Sequence, residues 1–133
     1  EKFFQESSQR KILIADDDDT VVEVIQDMLL DKYDDIELEI AYDGYEALIT
    51  AGSFKPDLLI LDMRMPKIDG LEVIRRLREN KAISENMKIL AMTAHTDAYQ
   101  REAVLQAGAD DYFIKPIRMA IFHNCVEKLM SSK

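Results

Sequence analysis

Apolar residues along this chain come in two rhythms. Unbroken runs at residues 12–15 and 58–61 have the character of strands buried on both faces of a parallel sheet. MKILAMT, ending on Thr93, and DYFIK, ending at Lys115 before Pro116, predict two more strands. IELEIAY instead alternates Ile36, Leu38 and Ile40 with acids, the pattern of a strand with one face less covered and therefore nearer a sheet edge.

The second rhythm is helical and falls between the runs. Val21, Val24, Ile25, Met28 and Leu29 predict an amphipathic helix of roughly 12 residues, with Asp19 or Thr20 as N-cap. DKYDD breaks it. Tyr42, Asp43 and Gly44 then turn into a short helix, YEALITAG, closed by Gly52. Pro56 introduces the run at 58–61, and a turn marked by Pro66 and Gly70 leads into LEVIRRLREN, whose core stripe is Leu71, Ile74 and Leu77. KAISEN reads as a polar connection. A fourth helix with a weak apolar face spans about residues 97–107 and stops at Gly108. The last carries Ile117, Ile121, Cys125 and Leu129 at near-helical spacing. Five strands alternating with five helices predict a doubly wound α/β sandwich, because right-handed crossovers leave little else for such a pattern.

Composition narrows this picture. At 133 residues the chain holds one sizeable core. Residues 1–10 read as an N-terminal extension or linker, 11–130 as the domain and 131–133 as a tail. The net charge of −9 speaks against nucleic acid as a direct ligand, which needs clustered Lys and Arg. Arg75, Arg76 and Arg78 lie beside Glu72 and Glu79 and read as a solvated helix face. Cys125 is the only cysteine, so there is no disulfide framework, and packing is its expected role. No apolar run reaches membrane-spanning length and EKFFQESSQR lacks the core of a signal peptide. The expected location is the cytoplasm.

Candidate chemistry gathers where strands end. The carboxyl ends of parallel strands are where α/β proteins place their sites, and there lie Asp16 and Asp17, Asp62, Thr93 and Lys115. If the first and third strands are neighbours, their acids face one another, and clustered like charges demand a cation, with Mg2+ the simplest answer. The set is chemically coherent. Carboxylates would hold the metal, one of them free to attack phosphorus, while a hydroxyl and an ammonium receive phosphoryl oxygens. The Gly-rich phosphate loop of nucleotide-binding folds is absent, since the first strand runs straight into Asp residues.

With ILIADD, LDMRMPKIDG, MTAH and KP in this order, the chain resembles the receiver domains of two-component response regulators, from Lys11 to about Met130. The resemblance implies a flavodoxin-like fold with strand order 2-1-3-4-5. It makes Asp62 the phosphoacceptor, served by a sensor histidine kinase or a histidine phosphotransfer protein, in a domain that catalyses only its own phosphorylation and dephosphorylation. Mg2+ would be held by Asp16, Asp17, Asp62 and the main-chain carbonyl of Arg64. Thr93 and Lys115 would contact the phosphoryl group, with Lys115–Pro116 a cis peptide, and Thr93 with Tyr112 would form the switch. Modification would remodel the face of the fourth helix, fifth strand and fifth helix for a downstream effector or a phosphorylation-linked dimer, a charge change of roughly −1.5 to −2 biasing an element with two packings. Arg64 and His95, each two residues past a site residue, would tune how fast water removes the group.

Plainer readings stand beside these. Asp18 and Asp19 suit helix N-terminal charge better than metal ligation. Thr93 alone would be an ordinary strand end, Lys115 a surface residue, Tyr112 a packing aromatic and His123 a structural or exposed helical residue; order and spacing around Asp62 distinguish the first two. Asp16, Asp18 and Thr20 also fit the DxDxT signature of haloacid-dehalogenase-like phosphatases, in which the first Asp is the nucleophile. That family needs further acids after its Lys, and beyond Lys115 only Glu127 remains. A receiver-like scaffold that never takes phosphate is a third class, against which the complete residue set argues.

Overall fold

A computed structural model describes residues 10–94 and 101–131. Its centre is one parallel sheet ordered β2-β1-β3-β4-β5, built from β1 (Arg10–Ala15), β2 (Ile36–Ala41), β3 (Leu58–Asp62), β4 (Lys88–Thr93) and β5 (Asp111–Ile114). Among the described residues six helices connect and flank the strands: α1 (Asp19–Lys32), α2 (Gly44–Phe54), α3 (Gly70–Glu79), the single turn α4 (Lys81–Ser84), α5 (Arg101–Ala107) and α6 (Met119–Ser131). No helix among the described residues is long and apolar enough to cross a membrane.

The unbroken apolar runs became the interior strands. Every residue of β3 is buried, which requires cover on both faces. Leu13, Ala15, Leu59 and Leu61 pack with Ala47 and Ala51 of α2, Val73 and Leu77 of α3 and Val104 of α5. Ile12, Ile14, Leu58 and Ile60 point the opposite way, onto Val22 and Ile25 of α1 and Phe122 and Val126 of α6. Such side chains each contribute about 1.5–3 kcal/mol on burial. The alternating strand, β2, is one of the two edges, with Glu37 and Glu39 exposed, and charges there discourage further pairing.

Local details depart from the sequence reading in five places. The N-cap of α1 is Asp18, whose side chain accepts from the Thr20 amide, so Asp19 is already helical. On the same helix Val22 is buried and Val24 is exposed. Gly52 does not close α2, which runs on to Phe54 and ends at Lys55 in the left-handed region, φ 53°. KAISEN is not merely a connection. Ile83 packs on the core while Arg78 donates from Nη1 to the carbonyls of Ser84 (3.0 Å) and Met87 (2.9 Å), which gives that turn acceptors filled from outside. Finally, the stripe of α6 is shifted: Phe122, Val126, Leu129 and Met130 are buried and Ile121 is exposed, while Ile117 and Cys125 pack at the edge of the core; Phe122 meets Phe113 edge to face at 6.0 Å. The fourth predicted helix is α5, described from Arg101.

Candidate functional site

Sheet register delivers the site residues to one rim. Asp62 closes β3 opposite Met92, and Thr93 closes β4 opposite Ile114. The ladder continues one bond past the strands: the Asp16 amide donates to Ala41 O (3.0 Å), that of Met63 to Met92 O (2.9 Å) and that of Lys115 to Thr93 O (2.8 Å). These bonds fix the backbone at each site residue to the sheet. The Lys115–Pro116 peptide is cis.

Two strand-end acids are oriented alike. Asp16 Oδ1 accepts from the Asp18 amide at 3.0 Å, and Asp62 Oδ1 from the Arg64 amide at 3.4 Å. Both bonds span two residues, the Asx-turn pattern. The outer oxygens then converge on one cation. Lys115 Nζ lies 3.3 Å from Asp16 Oδ2 and 3.4 Å from Asp62 Oδ2.

One ammonium is too little for this cluster. Asp16 is fully buried and Asp62 is 5% exposed, and one oxygen from each of Asp16, Asp17 and Asp62 lies within 4.8 Å of the others. Burial, then the charge of Asp16, pushes the Asp62 carboxyl up to about 6 against the pull of Lys115. For Lys115, burial lowers its affinity for the proton but the two carboxylates outweigh it, so its pKa is raised. Oxygens on opposite sides of a bound Mg2+ stand about 4.2 Å apart. Three hard oxygen donors at this spacing, in deficit of positive charge, fit a divalent metal of that class.

Thr93 is 2% exposed beside the cluster, its hydroxyl donating to the Ala94 carbonyl at 3.2 Å. Tyr112 is half-buried on β5, opposite Ala91, with the Arg101 guanidinium 5.7 Å from its ring centroid. The Arg64 side chain is exposed. His95 lies outside the described residues. Asp18 faces α1 as its cap, a use that competes with the DxDxT reading. Sequence reasoning missed that the Asp18 amide also orients Asp16; an Asp two residues before another polar turn residue is the local signal that could have found it.

Comparison with known proteins agrees with this geometry. A family model, the response regulator receiver domain, matches residues 12–127. Response regulator MprA of Mycobacterium avium is 42% identical over 109 residues, covering 82% of this chain and 46% of that protein. The Mycobacterium tuberculosis protein of the same name is equally similar, with 45% of it covered. The chain thus spans under half the length of these curated relatives. Among solved structures, the receiver domain of sensor histidine kinase PA1611 from Pseudomonas aeruginosa PAO1, which has a magnesium ion coordinated in its active site cleft, superposes with a TM-score of 0.81 at 28% identity, covering 92% of this chain and 98% of that one. Chemotaxis response regulator CheY4 of Vibrio cholerae gives 0.80 at 26% identity, with 91% and 98% covered. A match over nearly the whole described fold, with acids, threonine and lysine gathered on the carboxyl rim of a 2-1-3-4-5 sheet, means that this chain belongs to the response regulator receiver domain family of two-component systems.

Proposed function

We propose that Asp62 accepts a phosphoryl group from a phosphohistidine on a sensor histidine kinase or a histidine phosphotransfer protein. The observation that carries this is the cluster of Asp16, Asp17 and Asp62, three carboxylates of which Lys115 pairs with Asp16 and Asp62. Mg2+, held by Asp16, Asp17, Asp62 and the main-chain carbonyl of Arg64, would supply neutralising charge to the phosphoryl oxygens.

The chain's own residues do the rest. With its pKa raised only to about 6, Asp62 is mostly ionised at neutral pH. It attacks phosphorus as a carboxylate; an Asp62 O–P bond forms, the histidine N–P bond breaks, and the electron pair stays on the imidazole ring. Lys115, now shared between Asp62 and Asp16, can follow the charge onto the phosphoryl group. The Thr93 hydroxyl exchanges its Ala94 acceptor for a phosphoryl oxygen. Because the Lys115 amide is bonded to Thr93 O, a shift at Thr93 is felt on β5, and Tyr112 responds within the face of α5, β5 and α6. That face addresses a downstream effector, in the cytoplasm, and is the candidate surface for a phosphorylation-linked dimer. Hydrolysis reverses the state, at a rate set by Arg64 and His95. Replacing either is expected to change acyl-phosphate lifetime; an unchanged lifetime rejects its role.

The deciding experiment is incubation with acetyl phosphate and Mg2+, read by intact mass. One base-labile phosphoryl group is expected on wild type, absent with chelator and absent in Asp62→Asn. Undiminished labelling of Asp62→Asn contradicts the proposal, and turnover through Asp16 would favour a phosphatase.

A further inference from the structure

Beyond the residues that would touch metal or phosphate, the loop following Asp62 is held by a contact from a different part of the chain. Between Met63 and Gly70 the backbone folds tightly on itself: the Gly70 amide donates to Met63 O at 2.9 Å, and a Cβ on Gly70 would stand 2.6 Å from Met63 Cα. At its tip the Ile68 amide donates to Pro66 O at 2.9 Å around Lys67, whose φ is 78°. This is a γ-turn with positive φ, the strained form, at a residue that carries a side chain. Strain of that kind persists only where neighbours over-determine it.

The neighbours are Asp43 and Gly44. Asp43 Oδ1 caps α2 by accepting from the Glu46 amide at 2.9 Å, and its Oδ2 lies 3.3 Å from Lys67 Nζ. The Gly44 amide donates to Pro66 O at 3.4 Å. Ile68 sits so close over Gly44 that a Cβ there would be 2.3 Å from Ile68 Cγ1 and 2.6 Å from Ile68 O. One turn thus grips the loop by charge, hydrogen bond and shape. At its near end the same loop supplies the Arg64 amide to Asp62 Oδ1.

We propose that the Asp43–Lys67 ion pair is a latch that positions the loop after Asp62, making both residues positioning residues for the metal and phosphoacceptor site. The proposal rests on the site reading above. It makes a prediction that simple charge effects do not. Through space, removing the cation of Lys67 would strengthen Mg2+ binding, and removing the anion of Asp43 would weaken it. A latch requires both losses to weaken binding, because either one frees the loop.

Mg2+ affinity is measured by calorimetry for wild type, Asp43→Asn, which can still cap α2, Lys67→Met and the double variant. Each single change is expected to weaken Mg2+ roughly three- to tenfold, less than the roughly 10–100-fold that a direct hydrogen-bond partner of a metal ligand is worth, since neither residue touches a ligand, with the double variant no weaker than either single. Amide exchange at Ile68 and Gly44 in metal-free protein is expected to quicken in all three variants. Opposite signs in the two single variants, additive losses, or unchanged exchange overturn the latch. Because exchange is read without metal, it decides the latch even if wild type bound no Mg2+, a result that would contradict the site reading instead.

Discussion

The two ends of this parallel sheet both carry aspartates and treat them in opposite ways. At the amino end Asp57, Asp110 and Asp111 are each answered. Asp57 Oδ2 accepts from the Lys11 amide at 2.9 Å; Asp110 Oδ2 accepts from Arg78 Nη2 at 2.9 Å and from the Ile89 amide at 2.7 Å; Asp111 pairs with Lys128 at 2.7 Å and accepts from the Tyr112 amide at 2.9 Å. At the carboxyl end Asp16, Asp17 and Asp62 crowd together, and Lys115 pairs with Asp16 and Asp62. Paired acids hold β1, α3, β5 and α6 in place; crowded ones oppose the metal-free fold and wait for charge. The same residue type is fully paired at one end and left short of positive charge at the other because of its partners.

Substitutions at the two ends should therefore differ in sign, and the largest effect belongs to the answered end. Arg78 donates to Gly108 O, Ser84 O, Met87 O and Asp110, so Arg78→Ala strands several partly buried acceptors and is expected to cost about 2–3 kcal/mol in urea melts. Asp62→Asn should do the reverse. A carboxyl whose folded pKa is raised contributes stability below its ordinary pKa and loses it as pH rises through the folded value, here about 6. In chelator at neutral pH the Asn variant is expected to be more stable by about 1–2 kcal/mol, after discounting for Lys115 and water.

Asp111 is the mirror case. Burial alone would raise its pKa, but Lys128 and the Tyr112 amide prevail and hold it below the usual range. A depressed carboxyl contributes stability above its unfolded pKa and loses it as pH falls through the folded one. Asp111→Asn should cost about 0.5–1 kcal/mol at pH 7, since Lys128 is exposed and the pair is screened, and the loss should vanish in acid. Asp57→Asn, smallest of all, should stay within about 0.5 kcal/mol because Asn can still accept from the Lys11 amide. Equal signs for Asp62→Asn and Asp111→Asn at pH 7 would erase the distinction between the ends.

What could be read from sequence followed one rule: periodicity reports burial where a run is apolar on every side, and strand ends report the candidate site. The runs at 12–15 and 58–61 could only be interior strands, and in a doubly wound sheet their carboxyl ends must converge, so Asp16, Asp62, Thr93 and Lys115 were legible before any coordinate. The face of α6 was legible only in part. Ile117, Cys125 and Leu129 do pack against the core, but Ile121 is exposed and the centre of the face is Phe122, Val126 and Met130, because apolar residues run around much of the helix and fit more than one stripe. Gly52 reads as a stop, yet the stop is a lysine held left-handed. The one-turn helix at Lys81–Ser84 depends on the Arg78 guanidinium folding back onto its carbonyls, and the Asp43–Lys67 contact joins two separate loops; neither leaves an apolar periodicity to read.

The division between the two ends is tested most directly by thermal melting of wild type, Asp62→Asn and Asp111→Asn in chelator and in excess Mg2+. A ligand that binds only the folded state raises its stability by about 2.7 kcal/mol at a hundredfold excess over Kd. Mg2+ should therefore raise the midpoint of wild type and of Asp111→Asn by the same amount, and raise that of Asp62→Asn far less. An undiminished Mg2+ shift in Asp62→Asn, or no shift in wild type, would contradict the account.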